Sequence, residues 1–265
     1  MREVAQASVS RIREIKYQSD PAAKSWRASL ISFMGRLHWH CHFIQKLESE
    51  PELESRNLHR GYDDLRETEW NPAHFEALKQ GRTGWPMVDA CVAMLRETGW
   101  LNFRMRAMLV SFASYHLWLH WRPTGLFLGR QFLDFEPGIH WPQVQMQSGL
   151  YEASPPRIYN PVKQGQDHDP TGAFTRRWCP ELAAVPDNYL HEPWKWSGAA
   201  RLLGRRYPEA VVDVRTAQRD ARAAIWDIRR KPLQKSEPVE LIETNAARPS
   251  IRRQAAKFGQ LSFDL

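Results

Sequence analysis

Twelve tryptophans, with arginines and histidines close by, are the side chains that most clearly indicate ligand chemistry in this 265-residue chain. Trp39 lies within the run His38–His42, and Trp100 stands shortly before Arg104 and Arg106. Indole rings and guanidinium groups both stack on planar molecules. The pattern favours a flat ligand held by stacking, although core packing is the more common role of a large aromatic side chain.

Histidine and cysteine side chains are the possible metal ligands. On a helix, His38 and His42 would lie four residues apart on one face, a spacing that can hold a metal ion. No third ligand is evident, so we predict no metal site. The three cysteines, Cys41, Cys91 and Cys179, form no CxxC pair. They indicate reduced thiols rather than a disulfide framework or a cysteine-based zinc or iron–sulfur site.

The charge balance indicates the class of partner. Lys and Arg number 37 against 30 Asp and Glu, which gives a net charge of +7. Together with the aromatic content, this favours a nucleic acid over an anionic membrane, and the alternative is a mildly basic protein without an anionic partner. There is no signal peptide and no apolar run of the roughly 18–20 residues that span a bilayer. We therefore expect a soluble, cytoplasmic protein with no membrane partner.

Hydrophobic periodicity predicts that helices carry these side chains. We expect residues 101–122 to form a central buried helix, whose arginines need partners. Proline and glycine in 127–149 and in 157–172 predict loops. Further helices are predicted over 1–19, 22–47, 72–79, 86–98, 172–183, 195–203 and 211–231. The helices over 72–79 and 86–98 begin with proline, a residue suited to the first helical turn.

The fold class follows from what the chain lacks as well as from its helices. No strand alternation, internal repeat or low-complexity block is present, so we predict an all-α protein. Residues 1–231 are predicted to form one helical domain. Residues 232–265 lose the periodicity and gain Glu, Lys, Arg and Pro, which indicates a partly disordered basic tail.

Four segments, taken in order, resemble a known family. They are 83–90 (Thr-Gly-Trp-Pro-Met-Val-Asp-Ala), 98–106 (Thr-Gly-Trp-Leu-Asn-Phe-Arg-Met-Arg), 157–161 (Arg-Ile-Tyr-Asn-Pro) and 191–196 (His-Glu-Pro-Trp-Lys-Trp). Each string alone is weak, whereas the ordered set is specific. It resembles the FAD-binding domain of the DNA photolyase/cryptochrome family. The resemblance implies a helical bundle that holds FAD in a cavity, on a positively charged face that receives a flipped-out pyrimidine dimer.

The resemblance assigns residues to the cofactor. Arg106 is expected to pair with Asp134, and an arginine inside a mostly apolar helix does require a carboxylate. His140 stands roughly where the family has an asparagine facing flavin N5. Arg36 replaces a glutamate usual in dimer photolyases, and His40 replaces an arginine that approaches the flavin phosphates. The predicted cofactor contacts are Phe33, Arg36, His40, Trp100, Arg106, Asp134, Glu136 and His140.

The resemblance also assigns catalytic and DNA-binding residues. Trp39 falls on the tryptophan that stacks on the damaged bases. Trp70, Trp121 and Trp141 lie near the electron-transfer tryptophans, with Trp121 the first choice, and core packing is the alternative for Trp141. A solvated basic face is the alternative for the phosphate contacts. The predicted catalytic residues are Trp39, Trp121 and Trp141, and the predicted DNA contacts are Trp39, Arg104, Arg157 and Lys163.

These assignments imply light-driven repair, in which reduced flavin lends an electron to a cyclobutane pyrimidine dimer while the protein binds and orients both. Arg36 favours a cryptochrome-like photosensor as the alternative. The family's Thr-Ser-x-Leu-Ser phosphate-binding loop is absent from the sequence, which favours a third possibility, a non-catalytic module that binds single-stranded DNA. We expect FAD as cofactor, UV-damaged single- or double-stranded DNA as partner, and a monomer. Because the antenna domain is also absent, we expect no antenna chromophore.

Overall fold

Helices carry the fold, and no strand occurs in the part of the chain that this computed structural model describes, residues 1–151 and 156–230. The all-α prediction is confirmed. No described helix is long and apolar enough to cross a membrane. The predicted tail, 232–265, lies outside the described residues. The α-helices are α1 (Arg2–Glu14), α2 (Pro21–Ser49), α3 (Pro72–Gln80), α4 (Pro86–Thr98), α5 (Phe103–Ser111), α6 (Trp121–Gln131), α7 (Pro137–Gln147), α8 (Pro161–His168), α9 (Ala173–Trp178) and α10 (Val214–Arg230).

Capping side chains followed by proline start several helices. Asp20 precedes the first proline of α2 and accepts a hydrogen bond from the Ala23 amide at 2.9 Å. Glu136 precedes the first proline of α7 and accepts one from the Gly138 amide at 3.3 Å. A capping oxygen satisfies an amide that the first turn leaves unpaired, and the fixed φ of proline suits the first helical position. The predicted proline starts of α3 and α4 are confirmed.

The single central helix predicted over 101–122 is wrong in its C-terminal half. After α5 the chain continues as a π-helix, Phe112–His116, and then turns at Trp118, whose φ is +54°. A new helix, α6, starts at Trp121. Pro123 explains the break, because proline has no N–H to donate within a helix and is tolerated only in its first turn.

Both segments predicted as loops contain helices. Most of 127–149 belongs to α6 and α7, and α8 lies within 157–172. The prolines that indicated loops, Pro137 and Pro161, are instead the first residues of α7 and α8. By contrast, the helix predicted over 195–203 is reduced to short 3-10 turns.

A buried carboxylate organises the segment that begins α4. Asp89 accepts hydrogen bonds from the amide and hydroxyl of Thr83 at 2.8 and 2.6 Å and from the Gly84 amide at 3.0 Å. The Tyr207 hydroxyl donates a fourth at 2.6 Å. These donors compensate the burial of the carboxylate. Gly84 has a φ of +78°, which glycine adopts without strain. The conspicuous string 83–90 is therefore a structural element.

The main hydrophobic core connects α4 with the helices that carry the candidate site. Val88, Leu95, Met108, Leu109 and Phe112 are fully buried in it. α5 packs against α4 on one side and against α6 and α7 on the other, and α7 also packs against α2. The core therefore sets the relative positions of α5, α6 and α7.

Candidate cofactor-binding site

An open cavity of about 710 Å³, including the part open to solvent, lies between α5, α6, α7 and the loop that joins α6 to α7. Its mixed lining suits a planar organic ligand that needs both stacking and a few polar contacts. Its apolar walls come from Ala107, Val110, Leu128, Phe132, Ile139 and Val144. Its polar groups come from Arg106, Asp134, Glu136, His140, Gln143 and Gln147.

Arg106 is held in place at this cavity by three contacts. Its Nη2 lies 2.9 Å from Asp134 Oδ2, and its Nε donates to the Leu101 carbonyl at 2.7 Å. The guanidinium also lies over the Phe132 ring, 4.1 Å from the centroid. The ion pair expected from the sequence is thus present. It keeps a positive charge beside the cavity in a fixed orientation, because the planar guanidinium binds in a fork geometry.

His140 lines the cavity as a neutral acceptor. Its Nε2 lies 2.8 Å from the Gly125 carbonyl, which can only accept, so Nε2 carries the hydrogen. Burial lowers the pKa of His140 to about 4, and the ring is therefore uncharged at neutral pH. With Nε2 protonated, Nδ1 retains its lone pair. A ligand N–H would be the complementary partner for that nitrogen.

Two glycines on α6 leave room for side chains of α7 and of the loop before it. A Cβ on Gly125 would lie 2.8 Å from Trp141 Cζ3, and a Cβ on Gly129 would lie 2.9 Å from Phe135 Cε2. Such distances are well inside van der Waals contact. The glycines therefore permit the side chains of Trp141 and Phe135 to pack directly on the α6 backbone.

Trp121 and Trp141 form a buried pair behind His140. Their ring centroids are 6.0 Å apart, and the rings of Trp141 and His140 are 4.9 Å apart. The Trp121 Nε1 donates to Asn57 Oδ1 at 2.6 Å, and the Trp141 Nε1 to Glu54 Oε1 at 3.3 Å. Neither indole lines the cavity itself. The rings of His140, Trp141 and Trp121 form a contiguous row leading away from it. The catalytic role of the two tryptophans stays a prediction.

The predicted contacts on α2 lie outside the cavity lining. Phe33, Arg36 and Trp39 are exposed, and His40 is half-buried. Helix α2 is nevertheless near, since it packs against α7 and a Cβ on Gly138 would lie 2.9 Å from the α2 backbone. These four residues therefore stand on a helix beside the end of α7 that carries Glu136. Their roles toward a cofactor or a base stay predictions.

Exposed apolar side chains lie at the cavity and in the chain segments next to it. Phe103 and Phe135 line the cavity and are 63% and 42% exposed. Leu133 is 85% exposed, and its backbone amide donates a hydrogen bond of 3.0 Å to the Gly99 carbonyl. Trp100 is itself exposed and does not line the cavity. We call Trp100, Phe103, Leu133 and Phe135 the apolar rim.

The predicted phosphate contacts lie on α5, on α8 and in the segment between α7 and α8. Arg104 and Lys163 are both close enough to His168 for their positive charges to lower its pKa, an effect second to that of burial. Lys163 also forms an ion pair with Asp167 at 3.0 Å. Arg157 is exposed, and its backbone carbonyl accepts from a serine hydroxyl of α5 at 2.9 Å. Arg104 and Lys163 thus form a local basic surface, whereas no contact within the described part of the chain joins the Arg157 side chain to them.

Sequence reasoning missed the glutamines on α7. Gln143 and Gln147 follow His140 at helical spacings of three and seven, and all three side chains line the cavity. This periodicity was hidden because the segment was predicted to be a loop. Gln145 has a different role, since its side chain is buried and bonds to backbone groups around Leu53.

The chain resembles known proteins over most of its length. Residues 33–227 match the family model described as the FAD binding domain of DNA photolyase. The deoxyribodipyrimidine photo-lyase of Escherichia coli is 32% identical over 195 residues, 72% of this chain and 41% of that protein. Cryptochrome DASH of Gloeobacter violaceus is 34% identical over 58% of this chain and 32% of its own length.

A solved structure supports the same relationship. The crystal structure of a bacterial class III photolyase from Agrobacterium tumefaciens is 26% identical, with a TM-score of 0.69, over 82% of this chain and 45% of that one. The chain spans less than half the length of these relatives. Since the family match covers residues 33–227, well over half of the sequence, the chain belongs to the photolyase/cryptochrome family through its FAD-binding domain.

Proposed function

We propose that this chain binds FAD in the cavity between α5, α6 and α7 and repairs cyclobutane pyrimidine dimers in DNA under blue light. The observation that carries the proposal is the position of the cavity, which lies within the matched FAD-binding domain. It is bordered by the Arg106–Asp134 ion pair and by two exposed phenylalanines of the apolar rim. The site falls within the domain that we predict to span 1–231.

The side chains present fit an isoalloxazine ring. The walls are apolar, His140 offers an acceptor at Nδ1, and Gln147 has a buried amide oxygen without a hydrogen-bond partner. A flat heterocycle with ring N–H and carbonyl groups complements this combination. When bound, FAD would supply the light-driven electron transfer that cleaves the dimer, which is chemistry that no protein side chain provides.

The protein's own residues would bind and orient the two partners. Arg106, fixed by Asp134, places a positive charge where negative charge on the ring would be stabilised. Trp39 is 54% exposed and offers an indole face to an extruded base. Arg104 and Lys163 would contact phosphates, giving affinity without sequence preference. Phe103 and Phe135 would exclude water from the cavity opening.

A repair assay with an irradiated thymine oligonucleotide tests the proposal. The purified chain, supplied with FAD and a reductant, is illuminated with blue light, and the remaining dimers are counted by chromatography against a dark control. Dimer loss only in the light supports repair. DNA binding without flavin uptake would instead favour the non-catalytic module that binds single-stranded DNA.

A cryptochrome-like photosensor is the second candidate. Arg36 stands exposed where a glutamate is usual in dimer photolyases, and one of the relatives at 34% identity is named Cryptochrome DASH. A light-dependent change in the flavin absorption spectrum together with an unchanged dimer count would favour this function over repair. The Arg36→Glu variant provides the matched comparison, since it restores the family's residue without touching the cavity lining.

A further inference from the structure

Helix α10 (Val214–Arg230) presents two faces of different chemistry. Its inner face carries Val214, Ala221 and Ile225, which are buried in the main core, and the helix packs against the π-helix Phe112–His116. Its outer face carries five exposed side chains spaced by three or four residues, so they line up along about 22 Å of the helix. We call these five residues the basic stripe, and they are Arg215, Arg219, Arg222, Trp226 and Arg230.

The charges of the basic stripe are not balanced along the helix. Arg215, Arg219 and Arg222 are neighbours at spacings of four and three residues, and like charges at these spacings are unfavourable in a helix. Asp220 and Asp227 lie about a third of a turn away from the stripe, and each pairs with a stripe arginine, at 2.9 and 3.9 Å. Both pairs are mostly exposed, so they contribute little and can give way to another anion. Arg215 and Arg222 form no ion pair within residues 1–151 and 156–230.

Trp226 interrupts the arginines of the stripe with an exposed aromatic ring. It is 43% exposed, in a row whose other side chains are all charged. The guanidinium of Arg229 lies 5.8 Å from the ring centroid and is itself held by the Tyr62 hydroxyl and the Tyr151 carbonyl, both at 3.1 Å. An indole beside a fixed guanidinium offers a planar surface on which another ring can stack.

A single nucleic acid strand fits this combination. Guanidinium groups bind the phosphates of its backbone, and its unpaired bases stack on exposed aromatic rings. A duplex offers the phosphates alone, because its bases already stack on one another. A membrane fits poorly, since one tryptophan among four arginines gives little apolar area to bury. Resting on the proposed function for the choice of DNA, we infer that the basic stripe binds an undamaged single DNA strand, at a surface that shares no residue with the cavity lining.

The salt dependence of DNA binding in the dark tests this inference. The purified full chain is titrated against fluorescein-labelled oligothymidylate that has not been irradiated, at a series of salt concentrations, with fluorescence anisotropy as the readout. The triple variant Arg215→Gln, Arg219→Gln, Arg222→Gln removes three charges but keeps residues that favour a helix. Each phosphate contact to a single strand contributes about 0.7 to the slope of log affinity against log salt concentration, so the slope is expected to become shallower by about 2.

Three exposed arginines of α1 provide the matched control. The variant Arg2→Gln, Arg11→Gln, Arg13→Gln lowers the net charge by the same amount on a different helix, and it is expected to keep the wild-type slope. An unchanged slope in the α10 variant would overturn the inference. An equal decrease in both variants would overturn it as well, since only the net charge of the protein would then matter.

Trp226→Leu separates stacking from charge. It is expected to weaken binding of the single strand by about tenfold at an unchanged salt slope, and to leave binding of a duplex of the same length unaffected. Equal losses on strand and duplex, or no loss on the strand, would contradict the inferred single-strand contact. Binding of the wild-type chain to phosphatidylserine vesicles but not to the strand would assign the stripe to a membrane and overturn the inference.

Light-dependent loss of dimers from an irradiated strand is measured separately, and it distinguishes this inference from the proposed function. Dimer repair, together with wild-type binding of the undamaged strand by the α10 variants, would overturn only the inference. The expected change in slope without any dimer repair would support the inference and contradict repair.

Discussion

Arg106 on α5 and Asp134 in the loop before α7 lie 28 residues apart in the chain and form an ion pair of 2.9 Å at the cavity. The guanidinium is 23% exposed and the carboxylate 54% exposed, so the arginine is the more desolvated partner. Removing the carboxylate would leave a partly buried positive charge without its ionic partner, and removing the arginine would leave an exposed acid. The two deletions are therefore not equivalent.

Arg106→Met is expected to weaken FAD binding by about tenfold or more, because it removes the fixed charge beside the ring. Asp134→Asn keeps the shape and one hydrogen bond, so a smaller loss is expected. Fluorescence titration with FAD measures both. Arg130→Met, at an exposed position of α6 away from the cavity lining, is the control and should bind normally. Equal affinities in all three variants would contradict a cofactor role for the ion pair.

Asp89→Asn is expected to lower the free energy of unfolding by about 3 kcal/mol, because the amide NH₂ faces groups that are themselves donors. Tyr207→Phe removes one of the donors to Asp89 and should cost about 1 kcal/mol. Urea denaturation followed by circular dichroism measures both changes. A larger effect of Tyr207→Phe than of Asp89→Asn would show that the carboxylate does not organise the segment 83–90.

Gly125→Ala is expected to destabilise the protein by roughly 1–3 kcal/mol, because the new methyl group would overlap Trp141. Gly35→Ala on α2 meets no atom within 4 Å and should be neutral or stabilising by up to about 1 kcal/mol. Thermal melts of the two variants give the comparison. Similar melting temperatures would mean that α6 and α7 can separate without loss, contrary to the close packing described above.

Stability is expected to fall between pH 6.5 and pH 4 through His116. Burial lowers the pKa of His116 from 6.5 to about 4, and neither ring nitrogen has a hydrogen-bond partner among the described residues. The unfolded chain binds the proton below pH 6.5 while the folded protein does not. The free energy of unfolding therefore keeps its full value above pH 6.5 and falls by roughly 3 kcal/mol as the pH approaches 4.

His116→Phe isolates that contribution from other titrating groups. The substituted ring can stack on Phe112, as His116 does with centroids 5.1 Å apart, but carries no titratable nitrogen. Unfolding free energies of the two proteins at pH 7.5 and pH 4.5 provide the measurement. The wild-type protein should lose more stability than the variant, and parallel losses would show that folding does not lower the pKa of His116.

Local sequence chemistry predicted the fold where helix starts were unambiguous. The prolines that open α3 and α4 and the periodicity of α2 gave the right helices. Proline misled the prediction at α7, because it is common in loops. Pro137 is instead the first residue of the helix, and Pro142 lies inside it. Which of these applies depends on packing against α2 and α6, and that information is not local.

The candidate site was predicted in part for the same reason. The resemblance located Arg106, Asp134, Glu136 and His140, and these four side chains meet at one cavity. Gln147 was missed because its position on the cavity face depends on α7 being helical. The roles of residues on α2 depend on how an exposed helix contacts a ligand, which neither periodicity nor the bare fold determines.

The visible absorption spectrum of the chain, after incubation with FAD and removal of unbound cofactor, tests the central claim most directly. The account predicts flavin bands that remain with the wild-type protein and are strongly reduced in Arg106→Met, with Arg130→Met unchanged. A wild-type protein that retains no flavin, or an Arg106→Met variant that retains as much as the wild type, would contradict the assignment of the cavity as the FAD site.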